Sequence, residues 1–248
     1  MKCNAGFSRT VLAVGLVAQG VAAAVGGDIE TPRGRVYGML ERIERIEYTE
    51  SDPVRAAFDW GRLSATRWLA GFGVEPDAFW YGGVVVGLGV NEAHSGEGLT
   101  EEYDAVMLGT EGAYRRPLPM LPGVGVVASA RYLVGLTDNG RDTDVARDTL
   151  TDGGVTELSW NELTLGVAAT LDYDTLRYEA GLEYCNRDIR QKWTFPDDRA
   201  SSNSTLSPDR DLGLRVGGAW LASELLEVRF EMTMGHQTAF RGGVQYVF

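Results

Sequence analysis

The sequence has few cysteines and few histidines, and this scarcity limits how the fold can be held together. Two cysteines, Cys3 and Cys185, and two histidines, His94 and His236, occur among the 248 residues. Cys3 lies in an amino-terminal segment that we expect to be removed, so Cys185 remains alone. An exported chain with one cysteine forms no intramolecular disulfide. Something else must stabilise the fold, and a closed hydrogen-bonded barrel without free edges would do so.

Long apolar runs and an excess of basic residues are also missing. After residue 24 no run approaches the roughly 18 apolar residues that indicate a membrane-spanning helix. Lys and Arg number 23 against 35 Asp and Glu, so the formal net charge is −12. Because nucleic-acid phosphates require lysine and arginine, we expect no nucleic-acid partner.

The first 24 residues have the pattern of a secretory signal peptide. A basic start with Lys2 and Arg9 precedes an apolar run at 11–21, and three alanines at 22–24 satisfy the small-x-small rule. An uncleaved anchor helix is the alternative, but the run is shorter than the about 20 residues that a spanning helix needs. We therefore expect a signal peptide at 1–24 and a single domain at 25–248.

The last 24 residues alternate between apolar and polar side chains. From Leu226 to Met234 the even positions are apolar and the odd ones charged or polar, and the alternation resumes from Phe240 to Phe248. Successive side chains of a strand point to opposite faces, so one face suits lipid. The stretch resembles the closing strand of bacterial outer-membrane β-barrels. The resemblance implies recognition of this strand, ending at Phe248, by the barrel-assembly machinery.

Similar segments recur along the chain at the length of a tilted membrane strand. Ten strands are predicted, at residues 34–47, 58–73, 79–90, 103–115, 124–136, 158–171, 176–186, 211–221, 226–234 and 240–248.

The facing of the first two predicted strands is left open by the pattern. Glu41, Arg42, Glu44 and Arg45 fit a strand only if it rises beyond the lipid or turns some of them into the lumen, and a short amphipathic helix is the competing interpretation. In the second strand, strict alternation puts Arg67 on the same side as two leucines. A bulge would separate them.

The connections between the strands test the barrel hypothesis. If the first strand starts in the periplasm, the connections after strands two, four, six and eight should be short, and they are. Those after strands one, three, five and seven are longer and more charged. Only the connection at 235–238 is short where a long one is expected. We predict an all-β fold, a closed antiparallel transmembrane β-barrel of about ten strands in a Gram-negative outer membrane. A soluble sandwich would have a polar outward face.

The inward faces of the predicted strands are rich in charge of both signs. A ten-stranded barrel is only slightly wider than eight-stranded ones, whose interiors are filled, and an unpaired buried charge is costly. We expect the charges to pair and plug the lumen, with a narrow ion or small-solute channel as the alternative. The predicted lumen charges are Arg131, Glu162, Arg177, Glu179, Glu183, Arg215, Glu227, Arg229, Glu231 and Arg241, with Arg62 and Glu111 as further candidates.

Both histidines fall in predicted outer connections, where a rim enzyme would carry its catalytic groups. Outer-membrane proteases of the omptin family are similar in size and ten-stranded topology, which implies a His with an Asp two residues away. His236 has no such Asp, and His94 has Glu92 instead. His236-Gln237-Thr238 is similar to the His-x-Ser of outer-membrane lipid hydrolases, without a matching acidic partner. We assign no catalytic residue, and a rim hydrolase remains an alternative function.

The long outer loops carry the remaining candidates. Five aspartates between 138 and 152 have no EF-hand glycine, so we expect a solvated loop, no metal and no cofactor. Trp193 and Phe195, with Arg190 and Lys192, would form a contact patch for polysaccharide, lipid head groups or protein, or an aromatic belt. The sequence thus predicts a monomeric structural or surface-interaction protein whose partners include outer-membrane lipid and lipopolysaccharide.

Overall fold

The computed structural model describes residues 32–50, 62–94, 100–137, 154–194, 201–208, 211–235 and 237–248. The predicted signal peptide and the aspartate-rich loop lie outside these ranges. Within them, no helix is long and apolar enough to cross a membrane. The strands are β1 (Arg33–Glu50), β2 (Arg62–Glu75), β3 (Trp80–His94), β4 (Thr100–Pro117), β5 (Val124–Thr137), β6 (Gly154–Tyr173), β7 (Leu176–Thr194), β8 (Ser201–Pro208), β9 (Leu212–Leu221), β10 (Leu226–Met234) and β11 (Thr238–Val247).

The strands form one antiparallel sheet that closes on itself. Sequence neighbours pair from β1 to β7 and from β9 to β11, β7 pairs with β9, and β11 pairs back with β1. The closing ladder begins at Arg35 opposite Val247. Gly34 and Phe248 extend it with two backbone hydrogen bonds of 2.7 and 2.9 Å. Closure leaves these strands without a free edge, and the predicted all-β barrel is confirmed.

Strands β8 and β9 both pair with β7, at different heights along it. β7 pairs with β9 near the barrel end that the sequence predicts to be periplasmic, and with β8 at the opposite end, which we call outer. Between them the amide of Cys185 donates to the carbonyl oxygen of Asp211 at 2.7 Å. The eleven segments therefore make the ten-stranded barrel that the sequence predicts. The predicted loop at 187–210 is wrong in its extent, since β7 continues to Thr194 and β8 returns from Ser201.

The outer end of the barrel has eight strands rather than ten. β8 pairs with β1 from Tyr48 opposite Pro208 to Glu50 opposite Leu206, so the sheet closes above the short β10–β11 connection. We call this upper region the outer collar. Gly235, in the connection, has a φ of +125°, and a Cβ there would lie 2.8 Å from the Cα of Gly213. The β10–β11 connection can be short because the outer collar continues the barrel beyond it.

The outward face of the barrel is apolar over a belt that fits lipid. Trp68, Leu88 and Phe230 expose 65%, 63% and 64% of their surface. The periplasmic end carries an aromatic girdle, in which the rings of Trp80 and Tyr114 lie 4.6 Å apart. Its other exposed members are Phe79, Tyr173, Trp220, Tyr246 and Phe248.

The belt ends sharply on its outer side. On β1 the outward series changes from Leu40 to Arg42, and on β7 it changes from Tyr184 to Asn186. Strands β6 and β7 contain 20 and 19 residues, about twice the 9 to 11 that a membrane strand needs. The outer parts of both strands therefore project beyond the lipid.

The first two strands resolve the two uncertainties of the sequence pattern. Residues 33–50 form a strand, not a helix, and the register shift lies in β1 between Ile43 and Ile46. The bulge considered for β2 does not occur, since its pairing with β3 is regular. Leu63, Arg67 and Leu69 alternate regularly and all are buried. The bulge in β1 lets Ile43 and Ile46, three residues apart, both face the interior.

Candidate functional site in the lumen

Seven buried or nearly buried charges form a cluster in the outer half of the lumen. Six strands supply these charges, and each of the seven residues lies at an inward-facing position of its strand. We call this cluster the charged hub, and it consists of Glu41, Glu162, Glu183, Arg67, Arg131, Arg187 and Arg241.

Glu162, on β6, is the most heavily contacted carboxylate of the hub. It accepts hydrogen bonds from Arg187 Nε at 2.8 Å and Arg67 Nη1 at 3.1 Å. The indole Nε1 of Trp160 donates to the same carboxylate at 3.1 Å. The Arg67 guanidinium lies 4.4 Å from the centre of the Trp160 ring, a cation–π arrangement. The charge of the Glu162 carboxylate is thus balanced by arginines, and the hydrogen bonds hold the carboxylate in one orientation.

Glu41, on β1, contacts arginines of its two neighbouring strands and of a strand across the lumen. Its register partners on the two sides are Arg67 and Arg241, which donate to it at 3.2 and 2.6 Å. Arg131, from β5, reaches the same carboxylate at 3.0 Å. One buried carboxylate therefore ties four strands together through charge-assisted hydrogen bonds.

The β10–β11 connection also reaches the hub. Arg241 binds Glu183 through two nitrogens, at 2.7 and 3.1 Å. The side chain of Gln237 is buried, and its Oε1 accepts a hydrogen bond from Arg187. Thr233 donates to Glu183 at 3.3 Å. The turn is therefore anchored inside the barrel.

An apolar layer covers the hub on its outer side. Along each strand these residues come two or more positions closer to the outer end than the hub charges. We call them the outer apolar layer, and they are Ile43, Ile46, Leu63, Ala65, Tyr103, Trp160, Ile189 and Ala239, all 3% exposed or less.

The periplasmic half of the lumen has a looser arrangement of charges. Glu179 contacts Arg229 at 2.8 Å and Arg215 at 3.5 Å. Glu227 contacts Arg177 at 3.2 Å and Arg229 at 3.4 Å. We call these five side chains the periplasmic network. Solvent reaches part of it, since the Arg229 side chain is 33% exposed.

A cavity of about 150 Å³ lies beside this network, on the periplasmic side of the hub. On one wall the hydroxyl of Tyr81 donates to Glu111 at 2.6 Å, and the Arg35 guanidinium lies 4.3 Å from the Tyr81 ring centre while pairing with Glu75. An apolar cluster of Leu69, Val85, Met107 and Leu133, with Tyr37 and Met39 against it, fills the lumen along β2 to β5.

The structure places the ten predicted lumen charges on the inner wall, in two groups. Arg131, Glu162, Glu183 and Arg241 belong to the hub, and Glu231 lies 3.8 Å from Arg241. Arg177, Glu179, Arg215, Glu227 and Arg229 form the periplasmic network.

Three members of the hub were missed by sequence reasoning. Glu41 lay in a charged run of uncertain facing, Arg67 was set apart by the expected bulge, and Arg187 was placed in a loop. Arg187 could have been found, because it continues the inward odd-numbered series of β7 after Glu183 and Cys185.

The predicted outer patch is only partly described. Lys192 and Trp193 lie on β7 rather than in a loop, with backbones opposite Asn203 and Ser202 of β8. Arg190 is exposed and lies 2.7 Å from Asp188, and Phe195 lies outside the described residues.

Of the two histidines, the structure describes only the backbone of His94. His94 is the last residue of β3, opposite Thr100, rather than in a loop, and His236 is outside the described ranges. In the part of the chain that the structure describes, no three side chains of His, Cys, Asp or Glu are grouped to hold a metal.

Neither protein-family models nor curated proteins match the sequence. Among solved structures, the translocator domain of the autotransporter NalP from Neisseria meningitidis is 12% identical, with 97% of each chain covered and a TM-score of 0.46. The outer membrane protein OprG from Pseudomonas aeruginosa is 10% identical, with 89% of this chain and 99% of that chain covered and a TM-score of 0.47. Ail of Yersinia pestis is 10% identical, with 89% and 100% covered and a TM-score of 0.39. The closed register and apolar belt of this chain make it a β-barrel of the outer-membrane type.

Proposed function

We propose that the protein is a non-conducting outer-membrane barrel that holds its collar and outer loops at the cell surface for contact with lipopolysaccharide. The observation that carries the non-conducting part is the seal in the outer half of the lumen. There, the outer apolar layer lies directly on the charged hub.

The seal opposes ion passage in two ways. An ion crossing the apolar layer would lose its hydration among side chains that offer few replacements. It would then have to displace hub charges that already bind one another, such as Glu162 with Arg67 and Arg187. Breaking a buried pair costs about 3 to 5 kcal/mol. A narrow channel is the alternative, and no contact of the described residues favours it.

Planar-bilayer recording tests the seal. We expect no discrete conductance steps from the wild-type protein. The double variant Arg67→Ala with Glu162→Ala removes one charge of each sign and vacates hub volume, so we expect it to show openings. The matched control, Asp188→Ala with Arg190→Ala, removes an exposed ion pair and should stay silent. Stable ohmic steps from the wild type would overturn the proposal.

Surface contact is proposed for the outer ends of β7 and β8. Beyond the lipid belt the outward residues of β7 are polar, namely Asn186, Asp188 and Arg190. Arg190, and Lys192 two residues further along the strand, supply cations for the phosphates of lipopolysaccharide.

Binding of purified lipopolysaccharide to the detergent-folded chain tests this contact. Arg190→Ser with Lys192→Ser should weaken binding several-fold. Arg33→Ser with Arg116→Ser makes the same change in charge at exposed positions of the periplasmic end, and we expect it to bind as the wild type does. Equal loss in both variants would show a general charge effect and contradict the assigned patch.

Assembly through the closing strand is the third part of the proposal. Phe248 exposes 60% of its surface beside Tyr246, with ring centres 6.3 Å apart. We expect Phe248→Ser to lower the amount of folded monomeric barrel in outer-membrane fractions more than Phe240→Ser, an outward change farther from the terminus. Equal levels for the two variants would contradict recognition at Phe248.

A further inference from the structure

The segment that joins β4 to β5 at the periplasmic end has no charged or polar side chain. Residues 117–123 are three prolines, two leucines, a methionine and a glycine. The connections β2–β3, β6–β7 and β9–β10 at the same end contain Asp77, Asp174 and Glu224. We call residues 117–123 the apolar turn, and its composition sets it apart from these three connections.

The side chains of the apolar turn point away from the protein. Met120 exposes 93% of its surface, and Leu118 and Leu121 are exposed as well. Apolar side chains that are grouped at an exposed tip mark a contact with another protein or with a membrane. The turn therefore offers a surface for an apolar partner.

The backbone of the apolar turn also suits surroundings that contain little water. Its three prolines have no N–H group. The amides of Leu118, Leu121 and Val124 donate to the carbonyl oxygens of Val124, Leu118 and Leu121, at 2.8, 3.0 and 3.0 Å. At most two of the eight residues from 117 to 124 can thus have a free backbone donor. Internal satisfaction of the backbone is what a lipid environment requires.

The apolar turn is continuous with the lipid-facing surface of the barrel. Leu118 lies opposite Val124, and Val124 pairs with Leu171, an exposed residue two positions before Tyr173 of the aromatic girdle. Met120 is two residues beyond Leu118, so it lies at most about 7 Å further from the girdle. A headgroup layer is about 5 to 8 Å thick. The tip of the turn therefore lies within the depth of the head groups.

From these observations we infer that the apolar turn inserts into the headgroup layer of the periplasmic leaflet and anchors this end of the barrel to phospholipid. Apolar side chains gain free energy when they enter the boundary between head groups and acyl chains. The continuity with the girdle favours lipid over a periplasmic protein as the partner. This contact is separate from the surface contact proposed for the opposite end.

Methionine methyl NMR of the full chain in phospholipid bicelles tests the inference on the unmodified protein. The chain is labelled with ¹³C-methyl methionine, and Met120→Leu identifies the Met120 resonance. Met234 is exposed on the outward face of β10, and Met107 is buried in the lumen. We expect nuclear Overhauser contacts with lipid protons from Met120 and Met234 and none from Met107. Because the bicelles contain no other protein, a turn that serves a protein partner would contact water alone, and this result would overturn the inference.

Two changes at position 120 separate lipid contact from contacts within the protein. Because Met120 is 93% exposed, neither Met120→Ser nor Met120→Leu removes much contact with other residues. If the side chain lies in lipid, Met120→Ser lowers the urea concentration at which the barrel unfolds in phospholipid vesicles, because the apolar contact is lost. Met120→Leu keeps the side chain apolar and should unfold as the wild type does. Equal midpoints for the two variants would contradict insertion of the turn.

Discussion

The two halves of the lumen are built from the same residue types but differ in how deeply their charges are buried. In the outer half, Glu41 and Glu162 each contact three arginines and lie under an apolar layer. In the periplasmic half, Glu179 and Glu227 contact three arginines beside a cavity, and solvent reaches the Arg229 side chain, which is 33% exposed. Arginine and glutamate can therefore form either a buried cluster under apolar side chains or a partly solvent-exposed network, according to what surrounds them.

The largest expected loss of stability comes from removing the carboxylate of Glu162 from the charged hub. Glu162→Ala leaves Arg67 and Arg187 buried without their shared acceptor, so we expect a loss of about 3 to 5 kcal/mol in the free energy of unfolding. Urea unfolding in lipid vesicles, followed by tryptophan fluorescence, measures it.

The matched change in the other half is Glu227→Ala. Its partners Arg177 and Arg229 keep Asp172 and Glu179, so the expected loss is only about 1 to 2 kcal/mol. Equal losses for the two glutamates would remove the difference between the halves.

A loss smaller than that of Glu162→Ala is expected from a change in the outer apolar layer. Ile189→Ala opens a space among fully buried side chains, and we expect a loss of about 2 to 4 kcal/mol. Leu182→Ala, on the lipid face of the same strand, should cost less because lipid fills the vacated space. The same unfolding measurement compares them, and a larger loss at Leu182 would contradict a packed layer above the hub.

The short β10–β11 connection gives the next effect. Gly235→Ala would strain a backbone with positive φ and bring the new Cβ against Gly213, so we expect a loss of about 1 to 3 kcal/mol. Gly242→Ala meets no atom within 4 Å and should change stability by less than about 0.5 kcal/mol. Heat-modifiable mobility of the folded barrel in gels, read across temperature, ranks the two variants. Similar midpoints would show that the turn is not seated against β9.

The smallest effect is expected outside the lumen. Arg190→Ala breaks an exposed pair with Asp188, and we expect less than about 0.5 kcal/mol from urea unfolding. A loss as large as that of Glu162→Ala would mean that burial is not what distinguishes the hub.

Much of the barrel could be predicted because side chains alternate between the two faces of a strand. Once one face is assigned to lipid, the alternation assigns the other face to the lumen. The alternation of β5, β6 and the closing strands was enough to assign both faces and the strand number. The outer collar could not be predicted, since residues 201–208, which pair with β7 and β1, are mostly polar. The pattern at Ile43 and Ile46 misled for a physical reason, because a bulge puts both on one face.

The sequence predicted that charged side chains face the lumen, but not that they divide into the charged hub and the periplasmic network. Inward charges such as Glu179 and Glu183 are four residues apart on β7, yet they belong to different groups. Which arginine each meets depends on strand tilt and on partners far away in sequence, such as Glu41 and Arg241. The outer apolar layer was missed because the lumen was expected to be lined by charges. With that expectation, an isoleucine or leucine at an inward position suggests a bulge in the strand and not an apolar layer.

Cysteine accessibility in proteoliposomes tests the difference between the halves most directly. In a Cys185→Ser background, Ser129→Cys places a thiol on the cavity wall and Ala239→Cys places one in the outer apolar layer. A small membrane-impermeant thiosulfonate is added from either side. We predict that the thiol at 129 reacts from the periplasmic side and that the thiol at 239 reacts from neither side. Reaction at 239 as fast as at 129 would contradict the sealed outer half.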